Sequence, residues 1–232
     1  MIMLNKFKLF GVDEVLLQDF LKENEINCNV RNDGLETLVT IDFSNDSQAE
    51  QDIKLKKFLA MFSKHVYAEA DVSLAEQLVK IATLRNLKIS VAESFTGGGI
   101  ASEITSVSGA SKVFYEGIVA YSCEAKSKRL HIDKEIIDKH KPVSSEVVIK
   151  MASGLILESN CDLAISTTGI AGPNSDDSNF PVGLCYIGIA SKQKTNAYKH
   201  MFKGTRAEIV KIGVKTALFH AVMALRSGSF DI

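Results

Sequence analysis

Hydrophobic and polar positions over the first seventy residues follow a pattern that predicts a small α+β unit. Residues 6–10 are predicted to form a short strand, and an amphipathic helix follows. The turn signal Asn32-Asp33-Gly34 then separates two extended segments, residues 28–31 and 38–43, which predicts a hairpin. A polar stretch beginning at Asn45 predicts a second helix. The expected order is therefore strand, helix, strand, strand, helix.

The pattern changes at Ala70-Asp71-Val72-Ser73, where Asp71 or Ser73 is suited to cap a new helix that extends to Asn86. We therefore divide the chain into a first domain, residues 1–72, and a second domain, residues 73–232. Beyond the boundary, strand-like and helical segments alternate, which predicts a three-layer α/β/α domain, with its last strand antiparallel to its neighbour. The predicted strands are residues 87–91, 117–122, 163–168, 182–190 and 196–203, and the further predicted helices are residues 100–105, 124–130, 144–158 and 206–225.

Composition and charge narrow the classes of function. The 232 residues are 46% hydrophobic, and 27 basic side chains against 28 acidic ones leave a formal charge of −1. This balance provides no excess of positive charge that would favour binding to nucleic acid or to an anionic membrane. No apolar run approaches the roughly 18 residues of a membrane span, and the start of the chain lacks a signal-peptide core. We therefore expect a cytoplasmic protein whose partners are small molecules or further copies of itself.

Neither the cysteines nor the histidines form a sequence motif for metal binding. No CxxC, HExxH or HxH pair occurs among them, so we expect reduced core thiols, no metal and no cofactor. The residues concerned are Cys28, Cys123, Cys161 and Cys185, and His65, His131, His140, His200 and His220.

The stretch of residues 90–99 is the strongest sign of chemistry in the chain. An apolar run stops at Ser94 and three glycines before helical spacing resumes, so Ser94 is predicted at the carboxyl end of a strand, where open α/β sheets bind ligands. The free N–H groups of the helix start are suited to a phosphate or an oxyanion, which makes Thr96, Gly97 and Gly98 candidate binding residues. A glycine-rich turn with a capping serine is the alternative that the pattern leaves open.

A second glycine-bearing loop follows the predicted strand at residues 163–168 and stays polar through Phe180. If both strands are parallel, this loop faces the Ser94 turn across a crevice, and Thr168, Gly169 and Gly172 become candidate binding residues. The glycines could equally serve only to end the strand. Neither loop is a Walker A loop or a GxGxxG dinucleotide motif, which disfavours kinase and dinucleotide functions.

Lys126 lies in the first turn of a predicted helix, after the strand that we place next to the one carrying Ser94. A desolvated lysine can deprotonate a serine without a histidine, whereas an exposed lysine is the ordinary alternative. Ser94 lacks both the GxSxG elbow and a Ser-x-x-Lys motif. At the start of the last predicted helix, Arg206 is a candidate to bind a phosphate through two hydrogen bonds. An ordinary solvent-exposed arginine is an equally open alternative.

Six segments, taken in order, closely resemble the carboxy-terminal domain of the CinA family over roughly residues 73–226. They are Ala92-Glu93-Ser94-Phe95-Thr96-Gly97-Gly98, Val107-Ser108-Gly109-Ala110-Ser111, the stretch from Gly117 to Lys126, Val143-Ser144, Thr168-Gly169-Ile170-Ala171-Gly172-Pro173 and Pro181-Val182-Gly183. The resemblance implies a nicotinamide-nucleotide amidase, which hydrolyses the carboxamide of nicotinamide mononucleotide (NMN) to nicotinate mononucleotide and ammonia. It also implies a serine and lysine dyad, Ser94 and Lys126 here, with Tyr121 as a supporting hydroxyl.

Residues 1–70 look like the small KH-type domain of full-length CinA proteins, and no segment is similar to their larger amino-terminal domain. Because the family forms dimers and larger assemblies, the resemblance implies a homo-oligomer. Without a GxxG loop or a basic patch, we expect no nucleic-acid partner.

Three residues depart from the family pattern. Phe95 stands where cysteine is usual, Leu184 stands where threonine is common, and Thr205 stands at the aspartate of a frequent Gly-Asp-Arg, which is Gly204-Thr205-Arg206 here. A phenylalanine next to the predicted nucleophile could narrow the pocket. The alternative function is therefore a non-catalytic nucleotide-binding or assembly module.

Overall fold

The computed structural model describes residues 4–175 and 180–226. The first three residues of the chain, on which the signal-peptide expectation partly rests, and residues 176–179 of the polar loop lie outside the described residues. The chain divides into two compact units, Met1–Ser73 and Leu74–Ile232.

The first unit is a four-stranded antiparallel sheet with two helices. Its elements are β1 (Leu4–Phe10), α1 (Glu14–Glu23), β2 (Cys28–Asn32), β3 (Glu36–Asp42), α2 (Gln48–Phe62) and β4 (Val66–Ala68), and the strand order is β2-β3-β1-β4. Ser47 and Glu50 form a capping box that begins α2. The rings of Phe7 and Phe62 pack on Phe58, with centroids 5.1 and 5.3 Å from it. The sequence missed β4, because three residues are too few to display an alternating pattern.

The second unit contains a five-stranded sheet in the order β6-β5-β7-β8-β9. Its elements are α3 (Leu74–Leu84), β5 (Ile89–Glu93), α4 (Gly99–Thr105), a 3-10 helix (Ala110–Lys112), β6 (Phe114–Val119), α5 (Cys123–Leu130), α6 (Lys134–His140), α7 (Ser145–Glu158), β7 (Leu163–Gly169), β8 (Leu184–Ala190), β9 (Thr195–Met201) and α8 (Arg206–Arg226). β5 runs parallel to both β6 and β7, and β8 and β9 continue the sheet antiparallel. The predicted antiparallel last strand is confirmed.

Helices cover both faces of this sheet, so the predicted three-layer α/β/α architecture is confirmed. Successive residues of a strand point to opposite faces. On β8, Gly188 lies against the backbone of Val148 in α7, whereas Cys185 packs with Ile209 of α8 on the other face. The helix α8 also packs on α3 and α4. No helix in the two described ranges is both long and apolar enough to cross a membrane.

Two elements of this unit differ from what the sequence predicts: one predicted strand ends earlier, and one helix was missed. The strand β6 ends at Val119 and not at Ser122, because the hydroxyl of Ser122 accepts the N–H of Ala125 at 3.0 Å and so begins α5. The helix α6 was not predicted at all. Five of its seven residues are ionisable and only Ile137 is buried, so its sequence carries almost no hydrophobic period.

Candidate active site

Ser94 and Lys126 meet at the carboxyl edge of the parallel strands. Ser94 directly follows β5, and Lys126 lies in the first turn of α5, which follows the neighbouring strand β6. Nζ of Lys126 donates a hydrogen bond of 2.8 Å to Oγ of Ser94. Lys126 is 2% exposed and Ser94 is 7% exposed. The fold thus brings together the two side chains that the sequence predicts as base and nucleophile.

The surroundings of Lys126 suit a neutral amine. Its Nζ also donates to the carbonyl oxygen of Ala120 at 2.9 Å and to that of Tyr121 at 3.5 Å. Burial lowers the pKa of Lys126 to about 8. A neutral amine has two hydrogens, which these two carbonyls can accept, and its lone pair then faces Oγ of Ser94.

Glu93 occupies the helix start that was expected to bind an anion. Its fully buried carboxylate accepts the N–H of Gly98 at 2.9 Å, of Ile100 at 3.1 Å and of Ala101 at 2.8 Å. These are the donors that a phosphate at the start of α4 would need, so the expected anion site at this helix start is wrong. An acidic residue beside a glycine-rich helix start was the available signal, because carboxylates cap helix N-termini.

The residues Thr96, Gly97 and Gly98 shape the turn and do not line the cavity. The two glycines have φ angles of 62° and 97°, which explains why glycine is needed at both positions. The N–H of Gly97 donates to the carbonyl oxygen of Ser94 at 3.1 Å. The hydroxyl of Thr96 bonds to the hydroxyl of Thr167 at 2.8 Å, which ties this turn to β7.

A cavity of about 350 Å³ opens beside Ser94 and Lys126. Thr168, Gly169 and Gly172 line it, as predicted for the second glycine-bearing loop. The hydroxyl of Thr168 donates to the carbonyl oxygen of Pro142 at 2.7 Å, so this side chain holds the cavity wall in place. None of the residues recorded along the wall within the described ranges is acidic. They also include Phe95, Ser122, Cys123, Val143, Ile170, Ala171, Asn174 and Ser175.

Arg206 and Tyr121 form one side of the cavity. The guanidinium of Arg206 donates to the carbonyl oxygen of Gly172 at 2.7 Å and to the hydroxyl of Tyr121 at 2.6 Å. The hydroxyl of Tyr121 therefore contacts Arg206 and not Ser94 or Lys126, which corrects its expected role as a supporting hydroxyl for the pair. Tyr121 contacts Lys126 through its backbone carbonyl oxygen alone.

The side chain of Phe95 is buried, although it borders the cavity. It packs with Ala171, Cys185 and Ile209 in a cluster beneath α8. The hydrogen bond between Ser94 and Lys126 remains intact beside it.

The cysteines and histidines depart in part from expectation. Cys161 and Cys185 are buried and Cys28 packs, half-buried, against the apolar core of the first unit, but Cys123 is exposed at the cavity and is not a core thiol. His200 and His220, twenty residues apart, bond to each other through their Nε2 atoms at 2.9 Å. No group of three or more potential metal ligands occurs in the part of the chain that the structure describes.

Comparison with known proteins identifies the family. Residues 71–225 match the family described as the CinA C-terminal domain. The chain is 39% identical over 211 residues to the CinA-like protein of Kosmotoga olearia, an alignment that covers 87% of this chain and 51% of the relative. The first curated relatives are spanned over only 39% and 51% of their length.

Solved structures show the same fold. The competence/damage inducible protein CihA of Agrobacterium tumefaciens superposes with a TM-score of 0.63 at 32% identity, covering 66% of this chain and 93% of that one. The competence damage-inducible protein A of Klebsiella pneumoniae gives a TM-score of 0.62 at 28% identity, covering 67% and 98%. On the family match, the conserved architecture and these relatives, the chain belongs to the CinA family.

Proposed function

We propose that the chain hydrolyses the carboxamide of NMN to nicotinate mononucleotide and ammonia, with Ser94 as nucleophile and Lys126 as general base. The observation that carries this proposal is the buried 2.8 Å hydrogen bond between Nζ of Lys126 and Oγ of Ser94 at the wall of a cavity. Burial keeps the pKa of Lys126 near 8, so a useful fraction of the amine is neutral at physiological pH. A serine needs such a base to become a nucleophile.

In the first half of the reaction, Lys126 takes the proton of Ser94 and Oγ attacks the carboxamide carbon. We place the oxyanion against the N–H groups of Phe95, which borders the cavity, and of Thr96, the next residue of the same turn. Neither N–H has a hydrogen-bond partner among the described residues. The N–H of Gly97, which the sequence predicted as a donor, already donates a hydrogen bond to the carbonyl oxygen of Ser94. Lys126 then passes its proton to the amide nitrogen, the C–N bond breaks and ammonia leaves.

In the second half, water attacks the ester on Ser94. Lys126 accepts a proton from this water as the new C–O bond forms. The ester bond to Oγ breaks, Lys126 returns the proton to Ser94, and nicotinate mononucleotide is released. The two half-reactions together consume one water and leave both side chains in their starting state.

Substrate binding follows from the charges of the cavity. Arg206 is the group best suited to the phosphate, since a guanidinium carries five donors and only two bonds, to Gly172 and Tyr121, are recorded within the described residues. Thr168, Gly169 and Gly172 supply the wall against which the ribose and ring would lie. The cationic pyridinium of NMN next to Lys126 further favours the neutral amine.

The direct test is ammonia release from NMN by the purified protein, compared with Ser94→Ala and with Ser102→Ala, a change at an exposed serine of α4. We expect release by the wild type and by Ser102→Ala, and loss of release in Ser94→Ala. Binding of NMN without turnover by the wild type would instead support the non-catalytic binding module.

We also propose that the protein forms a homo-oligomer. We further propose that residues 1–72 are a KH-type domain without affinity for RNA. Light scattering coupled to size-exclusion chromatography tests the assembly, and a monomer at all concentrations would contradict it. Salt-sensitive RNA binding would contradict the second statement.

A further inference from the structure

Gly213, in the middle of α8, leaves the space that the ring of Phe95 fills. A Cβ atom at position 213 would lie 2.5 Å from Cζ and 2.6 Å from Cε2 of Phe95, well inside van der Waals contact. The backbone of Gly213 is ordinary helix, so its conformation does not require glycine. A glycine inside a helix costs about 1 kcal/mol relative to alanine, and the close ring of Phe95 gives a reason for it.

The ring of Phe95 links the parts that surround the predicted nucleophile. It belongs to one apolar cluster with Ala171 of the loop after β7, Cys185 of β8 and Ile209 of α8. Its own backbone lies between Ser94 and Thr96, so the ring anchors the peptide next to the nucleophile. The helix that it touches begins at Arg206, which lies at the same cavity.

We propose that Phe95, seated against Gly213, is a positioning residue that fixes the oxyanion donors beside Ser94. This inference rests on the proposed function, because those N–H groups act as oxyanion donors only if Ser94 attacks an acyl carbon. Side chains in close-packed interiors have little freedom, so a ring enclosed in this cluster and seated against Gly213 restricts the backbone to which it is attached. Displacing reacting groups by about 1 Å can cost a hundredfold in rate.

If Phe95 acts in this way, the effects on kcat of changes at Phe95 and at Gly213 are not independent. A double-mutant cycle measures this coupling. Gly213→Ala pushes the ring away, and we expect kcat for NMN to fall by about tenfold or more, with KM changed by less than about threefold. Phe95→Leu removes the ring atoms that clash but, made alone, leaves a gap against Gly213, so we expect it to lower kcat as well. In the double variant, the methyl group added at position 213 fills part of that gap. The double variant Phe95→Leu/Gly213→Ala should therefore recover most of the kcat lost in Gly213→Ala. The pH dependence of all variants should stay that of the wild type, because Lys126 is not touched.

Val222→Ala is the matched control, since Val222 is a fully buried residue of the same helix, nine positions further along. We expect it to lower the melting temperature and to leave kcat unchanged. Melting temperatures of the cycle should be non-additive as well, with the double variant more stable than Gly213→Ala.

Two outcomes are distinguishable. With an active wild type, a wild-type kcat in Gly213→Ala, or a double variant no better than Gly213→Ala, would overturn this inference alone. No ammonia release from the wild type would overturn the proposed function, and the assignment of oxyanion donors with it.

Discussion

Nζ of Lys126 lies 2.8 Å from Oγ of Ser94, although 32 positions separate them in the chain. The contact exists because β5 and β6 are parallel neighbours, so that the segments following them meet at one edge of the sheet.

If Lys126 is the general base, Lys126→Ala should lower kcat/KM for NMN by at least about a hundredfold. Lys128→Ala removes an exposed lysine from the same helix and should leave the rate unchanged. Near-normal turnover in Lys126→Ala would contradict the mechanism.

The pH dependence of the reaction should follow the ionisation of Lys126. Burial lowers its pKa to about 8, and only the neutral amine can accept a proton from Ser94. We therefore expect kcat/KM to fall tenfold per pH unit below about pH 8 and to level off above it. Measurements from pH 6.5 upwards keep the phosphate of NMN largely dianionic, since its second pKa is about 6. A flat profile between pH 6.5 and 9.5 would argue against a lysine base.

Glu93 should be needed for the stability of the Ser94 turn. In Glu93→Gln, an amide NH₂ replaces one of the two carboxylate oxygens that accept backbone N–H groups, so at least one buried donor loses its partner. We expect the free energy of unfolding to fall by about 1–3 kcal/mol in urea titrations. Glu103→Gln makes the same chemical change on α4 and breaks only an ion pair of 3.7 Å to Lys215, worth about 1 kcal/mol at most. Equal losses in both variants would show that the buried contacts of Glu93 have no special weight.

Arg206 should recognise the phosphate of the substrate. Arg206→Ala is expected to raise KM for NMN by about tenfold or more, which is the scale of one charge-assisted hydrogen bond. Nicotinamide riboside lacks the phosphate, so its kcat/KM should change little in the same variant. Arg129→Ala, at an exposed position of α5, is the control for the loss of one positive charge. A similar loss for both substrates would mean that Arg206 acts through Gly172 and Tyr121 on the shape of the cavity.

The pair of His200 and His220 should make the stability of the protein sensitive to acid. Burial, and then the neighbouring His200, lower the pKa of His220 to about 3 from an ordinary value of 6.5. A histidine whose folded pKa is depressed contributes stability that is fully present above pH 6.5 and is lost as the pH falls towards 3, because the unfolded chain takes up the proton first. The slope contributed by His220 is at most about 1.4 kcal/mol per pH unit. His220→Phe keeps an aromatic ring against Tyr198, with which His220 stacks at 3.8 Å, and should show a shallower loss between pH 6.5 and 4. An unchanged slope in this variant would contradict the assignment.

Much of the second unit was predictable because its signals are local. The run of apolar residues before Ser94 and the glycines after it define a strand, a turn and a helix, and the alternation of strands and helices implies a parallel sheet. These two features alone bring Ser94 and Lys126 to one edge. The glycine-bearing loop with Thr168 and Gly172 follows from the same topology.

Most side-chain partners were not predictable, because they depend on directions that no sequence pattern encodes. Glu93 is the exception: an acidic residue beside a glycine-rich helix start signals a carboxylate that caps the helix, and its carboxylate accepts the N–H groups of α4 that the expected anion site would need. The hydroxyl of Tyr121 reaches a guanidinium 85 positions away. Sequence spacing likewise separates His200 from His220, which meet only because β9 lies beside α8.

The most direct test of the central claim is to identify the covalent intermediate on Ser94. Wild-type protein mixed with NMN, quenched in acid within milliseconds and digested, should yield a peptide containing Ser94 that carries the nucleotide as an ester, with ammonia released alongside. Ser94→Ala should give neither the adduct nor ammonia. Sustained ammonia release by Ser94→Ala, or an adduct on another residue in the wild type, would contradict the account.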